Sequence, residues 1–244
     1  EQLSLPTIMH QCADYRQGLV LLTGPTGEGK TTTLAALVNE INQKYNKHII
    51  TIEDPIEYVF PKYKSIISQR ELHQDTHSWN VALKSALRED PNVIMVGEMR
   101  DFETISLVLT AAETGHLVFS TLHTNSAPES IDRIIDTFSS GQQNQVRSQL
   151  STVLKMIISQ RLLPKQNAVG RVPAVEILIN TPAVANSIRE GKTFLINNIL
   201  ETSEKEGLLL FEKNLLNLYQ TGIISKETAF SYAFRPRELE KFIK

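Results

Sequence analysis

The chain has 244 residues, 41% of them apolar and 21% charged, with a formal net charge of −2. That is ample for one large domain, or one domain with an appendage, of ordinary globular composition. It offers no electrostatic case for nucleic acid or an anionic lipid surface; no apolar run approaches the ~18 residues of a membrane span, so no direct membrane insertion is expected, and no signal-peptide pattern is read. Cys12 is the only cysteine, which leaves neither an internal disulfide nor a four-cysteine zinc site, and it reads as a small buried apolar residue.

In chain order, residues 1–17 read as a helix with Ile8, Cys12 and Tyr15 inward. The apolar run Gly18–Thr23 follows as a buried parallel strand. It enters Gly24-Pro25-Thr26-Gly27-Glu28-Gly29-Lys30-Thr31, which fits G-x-x-x-x-G-K-[ST]. From Thr31, Leu34, Leu37, Val38 and Ile41 recur at helical spacing. Strand, glycine loop and helix together make the phosphate-binding P-loop. Its glycines bring backbone N–H groups against phosphate oxygens, and the helix N-terminus adds partial positive charge. Lys30 supplies a full charge to the β- and γ-phosphates, and the Thr31 hydroxyl can bind Mg²⁺. Residues 24–32, ending with Thr32, are therefore the expected ATP-binding segment. Glu28 is a carboxylate inside an anion-binding loop, and it is expected to point to solvent.

Lys47–Ile52 is a second strand, running into Glu53-Asp54-Pro55-Ile56-Glu57-Tyr58. Acids at the C-terminal end of a strand sit where open α/β sheets bind ligands. Lys64–Gln69 reads as a short strand or hairpin arm, and Ser78 as the cap of a helix through Leu87. Val93–Val96 is an apolar strand ending in Glu98, Arg100 and Asp101, the general form of a Walker B element that holds Mg²⁺ directly or through water. Asp101 caps a helix ending near Gly115, and His116–Asn125 is a fourth strand with His116 and His123 at its ends. Ser126 and Glu129 have capping-box spacing. Gln142–Leu163 fits a long amphipathic helix, with Arg147, Lys155 and Arg161 on a solvated face. Arg171–Ile179 is a last strand. Helices are expected from Thr181-Pro182 onward.

The alternation gives an α/β fold: a three-layer nucleotide-binding core over residues 1–180 with a helical C-terminal extension over 181–244.

Four blocks in one order resemble the secretion and type IV pilus motor ATPases. They are the P-loop, the acidic box Ile52–Tyr58, the Walker B signature running from Leu87 through Asp101, and the histidine box running from Thr114 through Asn125. The resemblance implies a RecA-like P-loop NTPase core with a mostly parallel sheet, and a cytoplasmic homo-hexamer that hydrolyses ATP with Mg²⁺. Such a ring is peripheral at the inner face of the cytoplasmic membrane through an inner-membrane pilus platform protein. It further implies that Thr31 and Glu98 hold Mg²⁺ and its waters, that Glu57 orients or deprotonates the attacking water, and that His116 and His123 sense the γ-phosphate near a subunit interface. Two features favour pilus retraction, and with it twitching motility. No cysteine follows the histidine box, where assembly and type II secretion motors usually carry a zinc insertion, and Ala185–Glu190 resembles in part the C-terminal motif of retraction members. The alternative is a pilus-assembly or type II secretion ATPase of the same family. Asn92, where the signature usually has Asp, and Glu28, where Walker A has a small residue, depart from the pattern. Members also carry a small PAS-like domain ahead of this one, expected to be absent from this chain.

Outside the family, a RecA-like motor on nucleic acid would need a basic stripe and stacking aromatics. A small-molecule kinase would need an acceptor pocket or lid, of which the sequence bears no mark. A non-catalytic ring partner is disfavoured by the intact Lys30 and Glu57.

Overall fold

The computed structural model describes residues 5–243. Its centre is a seven-stranded sheet of order β3-β2-β4-β5-β1-β6-β7. The strands are β1 (Gly18–Thr23), β2 (His48–Glu53), β3 (Ile66–Glu71), β4 (Val93–Val96), β5 (Leu117–Leu122), β6 (Leu154–Pro164) and β7 (Arg171–Ile179). All neighbours pair parallel except β6 with β7.

Side chains alternate between the two faces of a strand, and both faces are covered, so the central strands read as unbroken apolar runs. Val20, Leu22, Ile49, Val93, Met95 and Phe119 turn to the face covered by α2 (Lys30–Lys44) and the short α1 (Gln11–Asp14). Leu19, Leu21, Ile50, Ile52, Ile94 and Val118 turn to the opposite face. There they meet α3 (Trp79–Ala86), α4 (Phe102–Glu113), α5 (Ala127–Asp136) and α6 (Ser140–Val153). This is the expected mostly parallel RecA-like arrangement. Ser78, Asp101 and Ser126 cap α3, α4 and α5 through their side chains, as their spacing predicts.

Two readings change. The helix expected over residues 142–163 ends at Val153, and its second half is strand β6. Met156 and Ile158 face the α2 side while Leu154 and Ile157 face the other, so an apolar run buried on both faces resembled a helical stripe. Lys155 and Arg161 are therefore strand residues. The N-terminal helix is shorter than expected: a 3₁₀ turn over Thr7–His10 and then α1, with residues 1–4 outside the described part. Cys12 is fully buried there against Met156, and burial pushes its thiol up to about 12.

After β7 the described chain is helical: α7 (Pro182–Arg189), α8 (Ile196–Thr202), α9 (Phe211–Gln220), α10 (Lys226–Tyr232) and α11 (Pro236–Phe242). Phe211, Leu215 and Leu239 pack on Leu163, Val172 and Ala174, so α9 to α11 stand on the β6–β7 hairpin, while Val184, Ile188, Ile196 and Leu200 of α7 and α8 join the core under α5 and α6.

Candidate active site

Strand β1 delivers the P-loop to α2. Gly24 has φ 143° and lies so close to the Gln160 carbonyl on β6 that no Cβ fits; Gly29, at φ 73°, forms the left-handed cap of α2. Lys30 is 7% exposed, and its Nζ donates to the carbonyls of Gly24 at 2.7 Å and Pro25 at 2.8 Å, which fixes the ammonium over the loop. Burial lowers its pKa, against the raising effect of Glu28 and Glu98, and Arg161 adds to the lowering.

Glu28 does not point to solvent. Its carboxylate accepts from the Leu162 N–H at 2.5 Å and faces Arg161 at 3.6 Å, so the negative charge is turned toward β6. A strand one position beyond β1 supplies a paired cation and a backbone donor, which is why an acid is tolerated in an anion-binding loop. Gln160 completes the clamp: its Nε2 donates to the Glu28 carbonyl at 2.6 Å, and its Oε1 accepts from Thr33 at 2.8 Å. No sequence signal marks Gln160, because its partners, the Glu28 carbonyl and the Thr33 hydroxyl on α2, lie far away in the chain. Gln160→Leu strands two buried polar groups and should cost about 1–3 kcal/mol. The melting midpoint should fall by roughly 2–12 °C and ADP affinity should weaken; calorimetry of the variant checks both.

The second wall comes from β2. Glu53 is buried, accepts from Thr51 at 2.7 Å and Gln69 at 3.1 Å, and has its pKa raised chiefly by that burial. The loop beyond it is held from β3, where the Glu71 carboxylate takes the Ile56 N–H at 3.0 Å and Gln69 takes the Phe60 N–H at 3.1 Å. That support carries Glu57 to the start of α2, where it accepts from the Thr31 hydroxyl at 3.4 Å. Glu98, past the end of β4, is gripped on both oxygens: by Arg100 on one side and by His123 Nε2 at 3.2 Å on the other. Its side chain is 12% exposed against 48% for His123.

These groups line one cleft of about 540 Å³, with Thr26, Gly27, Gly29, Lys30, Thr31 and Thr32 on its floor and Glu57, Glu98 and His123 on its walls. Trp79 and Arg171, unmarked by sequence reasoning, also reach it; Arg171 donates to the Gly27 carbonyl at 3.4 Å. His116 does not join them. It precedes β5, at the opposite edge of the sheet, and its Nδ1 lies 3.0 Å from the Ala111 carbonyl. The six-residue strand between the histidines spans about 20 Å, so within one chain only His123 lines the P-loop cleft. Asn92 is also structural, its Oδ1 accepting the His48 N–H at 2.9 Å. A larger cleft of about 780 Å³ beside α9 shares no residue with the P-loop.

The oxygen donors suit Mg²⁺. Among the described residues no cluster of three acidic, cysteine or histidine side chains forms a metal cage. One hydroxyl at the P-loop with carboxylates behind it is what a cation needs when most of its ligands are waters and phosphate oxygens.

The model of the type II/IV secretion system protein family matches residues 5–233. The chain belongs to that family. Among relatives of this secretion-system chain, a twitching motility protein of Neisseria gonorrhoeae is 54% identical over 94% of the chain and 61% of its own length. The type IV pilus retraction ATPase PilT of Pseudomonas aeruginosa is 50% identical over 94% of the chain and 66% of its own length. A crystal structure of the pilus retraction motor PilT with bound ADP superposes with a TM-score of 0.93 at 50% identity, covering 98% of this chain and 68% of that one. The chain thus spans 61–66% of the length of these two curated relatives.

Proposed function

We propose that this family member is the motor region of an ATP-hydrolysing, hexameric pilus retraction ATPase. The observation that carries the reading is the near-complete superposition on the ADP-bound retraction motor, with Lys30, Thr31, Glu57, Glu98 and His123 gathered in one cleft. Lys30 and the loop amides hold the β- and γ-phosphates and neutralise charge that grows in the transition state. Thr31 and Glu98 would hold Mg²⁺ and its waters, and the bound cation would shield the phosphate oxygens. Glu57, on a loop rather than at a strand end, orients and deprotonates the attacking water. His123 keeps Glu98 oriented and reports on the γ-phosphate.

The ring acts on an inner-membrane pilus platform protein and stays peripheral to the membrane. No helix among the described residues is long and apolar enough to cross a bilayer. No cysteine follows the histidine box, which favours retraction over assembly or type II secretion. The test is deletion of the gene, with sedimentation of the full-length protein alongside it. Hyperpiliated, non-twitching cells and a six-subunit ring are expected; bald cells would assign the chain to assembly instead.

A further inference from the structure

The C-terminal part meets the segment that follows His123 through two adjacent residues of the α10–α11 connection, Phe234 and Arg235. Phe234 stacks on Phe211 with ring centroids 4.0 Å apart, and the Arg161 guanidinium sits over its ring at 5.7 Å. Arg161 also donates to the Asn125 Oδ1 at 2.6 Å, two residues beyond His123. Arg235, which immediately precedes α11, lies between two carboxylates with no exposed surface. It donates to Glu212 at 3.0 Å from Nη1, and to Glu176 at 3.4 Å and Asn197 at 2.5 Å from Nη2. The second oxygen of Glu176 accepts the N–H of Ala127, the first residue of α5, at 2.9 Å. The short segment between His123 and α5 is therefore held from below by Glu176 and from the side by Arg161, and both anchors lead to the 234–235 pair.

A carboxylate removed from water needs a cation or several donors to stay charged and placed. Burial raises the Glu176 pKa, and Arg235 and the Ala127 amide oppose that effect. Without the guanidinium, that carboxylate keeps only the Ala127 N–H, and its hold on the start of α5 loosens. We infer that Arg235 is a positioning residue for the nucleotide cleft: acting through Glu176 and the start of α5, it sets His123 against Glu98 and couples the C-terminal helices to ATP turnover. This rests on the ATPase reading above for its kinetic arm only.

The experiment uses the full-length protein carrying Arg235→Gln or Glu176→Gln, each in wild-type and His123→Ala backgrounds. In the wild-type background kcat should fall at least about fivefold with KM for ATP little changed, while in the His123→Ala background neither change should lower kcat further. Amide exchange over residues 124–129 should quicken at least about fivefold, with α2 unaffected. Full additivity with His123→Ala, or unchanged exchange over that segment, overturns the inference. So does loss of fold in both variants, which would make the network a stability element. If Arg235→Gln alone fails to fold, Glu176→Gln decides, since it keeps size and the acceptor for Ala127. A wild-type protein without ATP turnover would refute the ATPase reading and leave the exchange measurement to decide this one.

Discussion

Lys30→Ala should all but abolish ATP hydrolysis while leaving the fold intact. Two loop carbonyls at 2.7 and 2.8 Å hold the ammonium at the P-loop, where it is placed in advance for charge that develops on a phosphate. Removing one preorganised donor of this kind typically costs about 10²–10³ in kcat, and a full charge in a secluded site belongs at the upper end. Truncation strands the Gly24 and Pro25 carbonyls that the buried ammonium now satisfies, so the melting midpoint should fall by a few degrees, about as for Gln160→Leu, without loss of the fold. Steady-state turnover and thermal unfolding of the purified variant check the two halves. Wild-type turnover would remove the P-loop assignment itself.

Glu57→Gln and Glu98→Gln should separate the two acids. Glu57 sits on a braced loop 3.4 Å from the Thr31 hydroxyl, where it can reach over the terminal phosphate. The amide keeps its size and removes the base, so turnover should fall by about 10²–10⁴ with ATP affinity nearly constant. Glu98 is held by Arg100 and His123. Neutralising it leaves Arg100 without its partner and, on the proposed assignment, would weaken the hold on Mg²⁺ and its waters, so the Mg²⁺ concentration for half-maximal rate should rise. ATP affinity, kcat and Mg²⁺ dependence measured on both variants decide the matter. Normal turnover in Glu57→Gln together with a dead Glu98→Gln at saturating Mg²⁺ would exchange the roles.

The sequence made the phosphate-binding half of this site readable because its physics is local. A strand, three glycines with positive φ, a lysine and a helix start lie within one short stretch, and each constrains the next. The caps at Ser78, Asp101 and Ser126 were legible for the same reason. Strand β6 was not. Val146, Leu150, Val153, Leu154 and Ile157 keep helical spacing across a boundary at Val153, and nothing local says that the second half pairs between β1 and β7 with both of its faces covered. Losing β6 hid Gln160 and Arg161, and with them the reason Glu28 turns inward. The place of His116 in its own chain was hidden for another reason. A histidine at each end of one strand looks like a pair in sequence, but a parallel strand presents only its C-terminal end to the ligand edge.

The clamp of β6 on the P-loop also bears on the entropy of nucleotide binding. Fixing a backbone residue costs about 1–2 kcal/mol in entropy, and a loop that orders only around its ligand carries that cost into every binding event. Here Gln160, Leu162 and Arg161 hold Glu28, and Lys30 holds Gly24 and Pro25. Most of that ordering is thus complete once the chain has folded. Nucleotide should dock by small adjustments of a rigid seat, and the slow part of each turnover falls to whatever must move to let product leave.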